Sequence, residues 1–451
     1  MIIRFKKIKK RTLFYYILNL VSAILLMSET TSIIKPFLLV LCSVLMIPNP
    51  LSYIPMLFVS SWSVTFTALP GLAAYFYYLV LFFASIVLSL IFNKEKVISF
   101  VSKIPAARLA FLFAVWIVIT GFYSISGEWY SAVKLALFIV PLLFVSHLRL
   151  SHMEFCRTSI DIIAIFFSAY CLYTIFFAPS YYYSDLTTVG QRSLRSDMNP
   201  NTASQIVLVL FTILYSETFR TKKYWLLLFA ALNAGTLMFL GSRTAFFTMA
   251  IIAIVYLMVV LKTAIWKKIL LFGVFLAMFI VLFSLGSGMG RSDRLTIATI
   301  EEDQGSGRFY TWDVLYNEVI PYHLVHGIGV GKANYEKLPI FAIDADNLYL
   351  DLLTATGIVG LLLFFVYYIS NLRHLFRYRK KKRDWDFLIA IFLAQLFEGI
   401  GETVYDIPII WFFGFLSMLA INDLKYAEVA PEMKPDLEPV LDVPTKKALP
   451  Y

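Results

Sequence analysis

Long apolar blocks alternate with short polar connections along almost the whole chain. Blocks of about 18 residues or more are long enough to cross a bilayer as helices. Fourteen of them are expected, near 12–28, 33–47, 50–69, 71–92, 107–125, 130–147, 158–178, 200–217, 224–240, 244–261, 267–284, 348–369, 386–402 and 407–421. The second and the last are short enough to be re-entrant. Lipid offers no partner to a bare backbone, so each block is expected to be helical. The pattern predicts an all-α, polytopic integral membrane protein with about 12–14 transmembrane helices. One interval breaks it: 285–347 is polar, glycine-rich and dotted with arginines, carboxylates and aromatics, and is expected as a single large extracytoplasmic loop. A loop of that length without obvious secondary structure points to function. No internal repeat is evident.

Composition sharpens this reading. Of 451 residues, 60% are hydrophobic, 17% aromatic and 15% charged, against about 25% charged in soluble domains. The net charge of +10 would suggest nucleic acid in a soluble protein, but here it sorts by side. With the N-terminus inside and the blocks alternating, the inner segments hold 29 of the 39 lysines and arginines, the bias that sets membrane orientation. This predicts a multi-pass protein of the bacterial cytoplasmic membrane, both termini cytoplasmic, with no nucleic acid partner. The basic N-terminal arm, with no cleavage site after the first block, reads as a cytoplasmic anchor. Residues 1–422 are expected as the membrane domain and 423–451, rich in proline and glutamate, as a disordered tail. Cys42, Cys156 and Cys171 are scattered, which argues for neither a metal site nor a disulfide framework. No cofactor is expected.

The arginines left on the outer side are the chemical candidates. Arg243 lies in the connection S-R-T, where it either snorkels to headgroups or binds an anion beside a helix start. A guanidinium suits phosphate because its donors form a planar fork. Arg192 and Arg195 share a loop with Tyr181, Tyr182 and Tyr183, which reads as an interfacial aromatic belt or as a place to stack sugars and bind anions. Arg308 and Trp312 are four apart in a segment with helical spacing, expected as a helix on the outer surface. Asp346 and Asn347 open the block at 348, either as caps or, for Asp346, as a general base toward a substrate hydroxyl. Asp344 and Asp351 compete for that role. Glu398 and Glu402 share a helical face, where pairing with an outward arginine or with Lys134 is their expected role.

Together, R-x-x-x-W at Arg308 to Trp312, H-G-I-G-V-G at His326 to Gly331, and D-N-L-Y-L-D-L-L-T-A-T-G-I-V-G at Asp346 to Gly360 resemble the O-antigen ligase and Wzy-type polysaccharide polymerase superfamily. The outward S-R-T at Ser242 to Thr244 is similar to a second landmark. The likeness covers roughly 190–365 in motifs and the whole chain in hydropathy. It implies a membrane glycosyltransferase that takes glycan from undecaprenyl diphosphate on the outer face, with Asp346, Arg243 and Arg308 catalytic. Arg192, Arg195, Asn347 and Trp312 would bind substrate. A flippase and a chain-length regulator would be its partners. The ligases carry histidine where this chain has Asp346, so the resemblance favours a polymerase of capsule, exopolysaccharide or O-antigen. A ligase is the nearest alternative, and a lipid-glycan flippase or transporter the alternative of another class.

Overall fold

The structure, a computed structural model, describes residues 10–27, 34–63, 71–93, 104–147, 153–176, 181–182, 192–193, 200–260, 264–288, 308–338, 345–379, 385–403 and 408–429. Within them every predicted block falls on a helix. The first four are α1 (Lys10–Met27), α2 (Ile34–Met46), α3 (Tyr53–Ser63) and α4 (Gly71–Asn93). Next come α5 (Pro105–Gly121), α6 (Tyr130–Ile139), which tightens into a 3-10 segment at Val140–His147, and α7 (Met153–Phe176). A two-residue antiparallel ladder, β1 (Tyr181–Tyr182) with β2 (Arg192–Ser193), precedes α8 (Pro200–Thr221). Then follow α9 (Leu226–Leu240), α10 (Arg243–Val255) with a π segment at Tyr256–Val260, and α11 (Ile265–Gly288).

The expected outer loop carries helix of its own. It holds α12 (Arg308–Val314), a π segment at Leu315–Val319, α13 (Ile320–His323) and α14 (Lys332–Tyr335). The surface helix expected around Arg308 and Trp312 is therefore present. The chain continues as α15 (Leu348–Arg379), α16 (Asp386–Glu398) and α17 (Pro408–Val429). That last helix runs into the expected tail, while 430–451 lie outside the described residues.

By length and composition two described helices can cross a membrane, Pro200–Thr221 and Leu348–Arg377, and seven shorter apolar helices accompany them. The bundle's core is aromatic. Trp411 of α17 is fully buried among Phe113 of α5 and Phe364 and Tyr367 of α15. Outer helix faces are apolar too: Phe37, Ile265, Ile269, Leu362 and Ile369 all stand exposed. A second, small core of Val314, Leu315, Val319, Ile328, Tyr335 and Ala345 holds the loop segments together.

Helix α15 is broken near its start. Gly357 has φ 68 and ψ −175, and a Cβ there would collide with the Val325 carbonyl. Breaking a helix frees backbone groups that must find other partners. The glycine-rich segment supplies them. Ile328 N donates to Thr354 O at 2.8 Å, Gly329 N to Ala355 O at 3.0 Å, and Ile358 N to Leu324 O at 2.7 Å. The Trp116 indole donates to Thr356 O at 2.8 Å. Gly327, at φ 71, sits where a Cβ would strike the Ala355 backbone. The glycines of H-G-I-G-V-G thus serve close backbone approach to a broken helix.

Candidate functional site

The turn at 399–403, where α16 ends, gathers the landmark segments. Leu348 N donates to Gly399 O at 2.7 Å, and Asn347 Nδ2 donates to Ile400 O at 2.9 Å. A Cβ on Gly401 would strike the Thr244 hydroxyl, which places the S-R-T connection against the same turn. Arg308 completes the cluster. Its Nε donates to Asp346 Oδ2 at 3.1 Å and its Nη2 to Glu402 Oε1 at 3.0 Å. One guanidinium therefore bridges two carboxylates from different segments, with its planar fork fixing the direction of each bond.

The two acids differ in access. The Asp346 side chain is 42% exposed, that of Glu402 8%, and that of Arg308 19%. Burial works against the charge on Arg308, yet the Glu402 and Asp346 carboxylates outweigh it and raise its pKa above the ordinary value. Arg308 is thus a fixed cation, Glu402 its buried counter-ion, and Asp346 the carboxylate that a solute can reach. Asp346 has φ 45, a left-handed conformation that aspartate tolerates better than most residues. The cap is Asn347, whose Oδ1 accepts from Tyr349 N and Leu350 N, both at 3.0 Å. Of the two adjacent cap candidates, the structure assigns that task to asparagine and turns the aspartate toward Arg308.

The remaining sequence candidates divide clearly. Trp312 donates its indole N–H to Ala345 O at 2.7 Å, pinning α12 to the residue before Asp346. Asp351 is buried and accepts the Tyr335 hydroxyl on Oδ1, a tie between α14 and the start of α15. Arg243 opens α10 beside the gathering turn and is half-buried. Arg192 pairs in the ladder with Tyr182, and its strand lies against α8 and α9. Arg195 and Asp344 lie outside the described residues. Among the described residues no group of three or more His, Cys, Asp or Glu is placed to hold a metal ion.

Sequence reasoning did not single out the 399–403 turn or the loop after α5. That loop matters because Asn334 Oδ1 accepts from Ser124 Oγ at 2.8 Å and Ser126 N at 3.0 Å, and Tyr123 stacks on His326. The only signal for the turn was the pairing expected of Glu402.

Two motifs of the resemblance, S-R-T and Asp346 with Asn347, thus meet at the 399–403 turn. Residues 225–365 match the O-antigen ligase family, Wzy_C. The matched stretch begins at the start of α9, takes in Arg243, Arg308, Trp312, Asp346 and Asn347, and stops just past Gly360. It covers less than half of the chain and leaves out Glu402. The match agrees with the resemblance read from the motifs. It supports a membrane, glycosyltransferase-like enzyme of O-antigen ligase or polymerase type in surface polysaccharide synthesis. No curated protein matches the chain.

Proposed function

We propose that this chain polymerises a bacterial surface polysaccharide on the outer face of the cytoplasmic membrane. The donor is a glycan on undecaprenyl diphosphate, and the acceptor is a hydroxyl of another repeat unit. Asp346, accessible and held by Arg308, takes the proton from that hydroxyl. The acceptor hydroxyl oxygen bonds to the anomeric carbon as the bond to the diphosphate breaks, and the lipid diphosphate leaves with the electron pair. Arg308 already faces two carboxylates, so its task is to orient Asp346. Meeting the charge that develops on the diphosphate falls to Arg243, with Arg192 and Arg195 as further anion contacts. Preorganised positive charge is most effective where transition-state charge appears.

The observation that carries this reading is the Asp346–Arg308–Glu402 bridge, built at the gathering point of the family's landmark segments. The multi-pass reading has its own support. The segments assigned outside by charge meet at one end, through 122–128, 241–244, 324–338, 345–349 and 399–403. Segments assigned inside meet elsewhere: Arg157 and Arg220 both bind Glu217, and Arg379 pairs with Asp386. The exposed apolar faces of α2, α11 and α15 suit lipid rather than water.

The family's name favours a second reading, a ligase that moves finished glycan to another acceptor. Gene deletion separates the two. Loss of the polymer ladder with the first repeat unit retained supports the polymerase. Full-length polymer that stays on the lipid carrier supports the ligase. Repeat units trapped on the cytoplasmic face would overturn both and favour a flippase.

A further inference from the structure

Arg308 and Trp312 fasten one side of α12 to residues 345 and 346, while Thr311, Val314 and Leu315 bury another. What remains on α12 and the π segment is an exposed face made of Phe309, Tyr310, Asp313, Tyr316 and Asn317, with Glu318 at its edge. These positions follow helical spacing, and the face begins beside the Arg308–Asp346 pair. Tyr310 is 54% and Tyr316 67% exposed. Asn317 Nδ2 donates to Asp313 Oδ1 at 2.8 Å, which sets the two polar side chains side by side between the rings.

We propose that this face is a carbohydrate subsite that holds the glycan next to the bond being formed. The proposal rests on the polymerase reading and adds the part of the substrate that the reading leaves unplaced. Three features favour sugar as the occupant. Tyrosine and phenylalanine rings offer flat faces for the apolar C–H side of a pyranose, with a polar tip on tyrosine. The carboxylate and amide oxygens of Asp313 and Asn317 accept hydrogen bonds from sugar hydroxyls. The face carries an acid and no lysine or arginine, so it repels the anionic headgroups that a membrane-lying helix normally attracts. From Arg308 to Asn317 the segment rises about 14 Å, enough for more than one sugar ring leading away from Asp346.

The test uses the full chain in nanodiscs and, as probe, a two-repeat oligosaccharide cut from the host's own polymer and freed of carrier. Wild type is expected to bind it, and Tyr310→Ala with Tyr316→Ala is expected to bind about tenfold more weakly or worse. Tyr316→Phe, which keeps the ring, should bind close to wild type, whereas Tyr316→Leu should not. In cells the Ala double variant should still join the first units but make short chains. No binding by wild type, or binding as tight as wild type by the Leu and Ala variants, overturns the subsite. A change in quenching by brominated lipids without a change in oligosaccharide binding also overturns it, in favour of a membrane-lying face. Asp346→Asn keeps the two failures apart. Full polymer from that variant sinks the proposed chemistry, while the binding measurement decides the subsite on its own.

Discussion

At the residue scale, Asp346 and its neighbour have separable tasks because the structure gives the cap to Asn347. Asp346→Asn should therefore fold and insert normally. It should lower polymer synthesis by about 10²–10⁴-fold, the usual contribution of a general base. Wild-type polymer ladders from this variant would remove Asp346 from the chemistry. Asn347→Ala should behave in the opposite way, costing about 1 kcal/mol of stability through the lost cap and showing as a lower melting temperature. Arg308 tests the bridge. Arg308→Ala leaves Glu402 beside a vacated cation, and a buried carboxylate without its partner is destabilising. Protein levels should fall in that variant. Adding Glu402→Gln to it should restore the level but not the activity, and a double variant that stays depleted would show that the bridge is not what holds this corner together.

At the scale of elements, the helices were legible and the break in one of them was not. Apolar blocks announce helices because a helix satisfies its own backbone. The stretch from Leu348 to Gly360 reads as continuous for the same reason, since Leu, Ala, Thr and Ile all tolerate a helix. The spacing of Gly357 and Gly360 marked a motif without revealing that Gly357 leaves helical geometry. Its partners come from a segment some thirty residues upstream, and no local pattern encodes that. Gly357→Ala should be destabilising beyond the roughly 1–3 kcal/mol of a backbone conformation that essentially only glycine adopts, because the Val325 carbonyl is in the way. Proteolysis should reach the 324–338 segment first. The same segment should sense acid. Burial, and next the neighbouring His326, lower the pKa of His323, so the unfolded segment takes up a proton more readily than the folded one. Local stability is then full above the ordinary histidine range near pH ~6.5 and falls as pH drops through it. Amide exchange in 320–331 should quicken below that pH in wild type and lose this dependence in His323→Gln.

At the scale of the molecule, charge along the chain assigns segments to two sides, and several segments assigned outward contact one another. What the sequence could not show was that the 399–403 turn would be the meeting point, because its contacts join residues far apart in the chain. Glu402 was readable as a partner for some outward arginine, but Arg308 became that partner only through the fold. The topology has a direct test, since Cys42, Cys156 and Cys171 are all buried and give little background. In intact cells an impermeant thiol reagent should label Glu336→Cys and spare Arg373→Cys until the membrane is opened. The reverse pattern would move the proposed chemistry to the cytoplasm.

The π segment at Leu315–Val319 has a consequence for how the chain tolerates gain or loss of single residues. A π turn carries one residue more than an α turn, so the extra residue is absorbed locally and the flanking turns keep their phase. Deleting Glu318 would therefore let an ordinary helix run through with Arg308 and Trp312 still facing Asp346 and Ala345. Deleting Asn317 as well leaves no bulge to absorb the second loss. Everything upstream would then rotate by about 100° relative to Ile320, and Arg308 and Trp312 would swing off their partners together, although neither had been altered. Protein levels should survive the single deletion, and the double deletion should be as damaging to synthesis as replacing Arg308 itself.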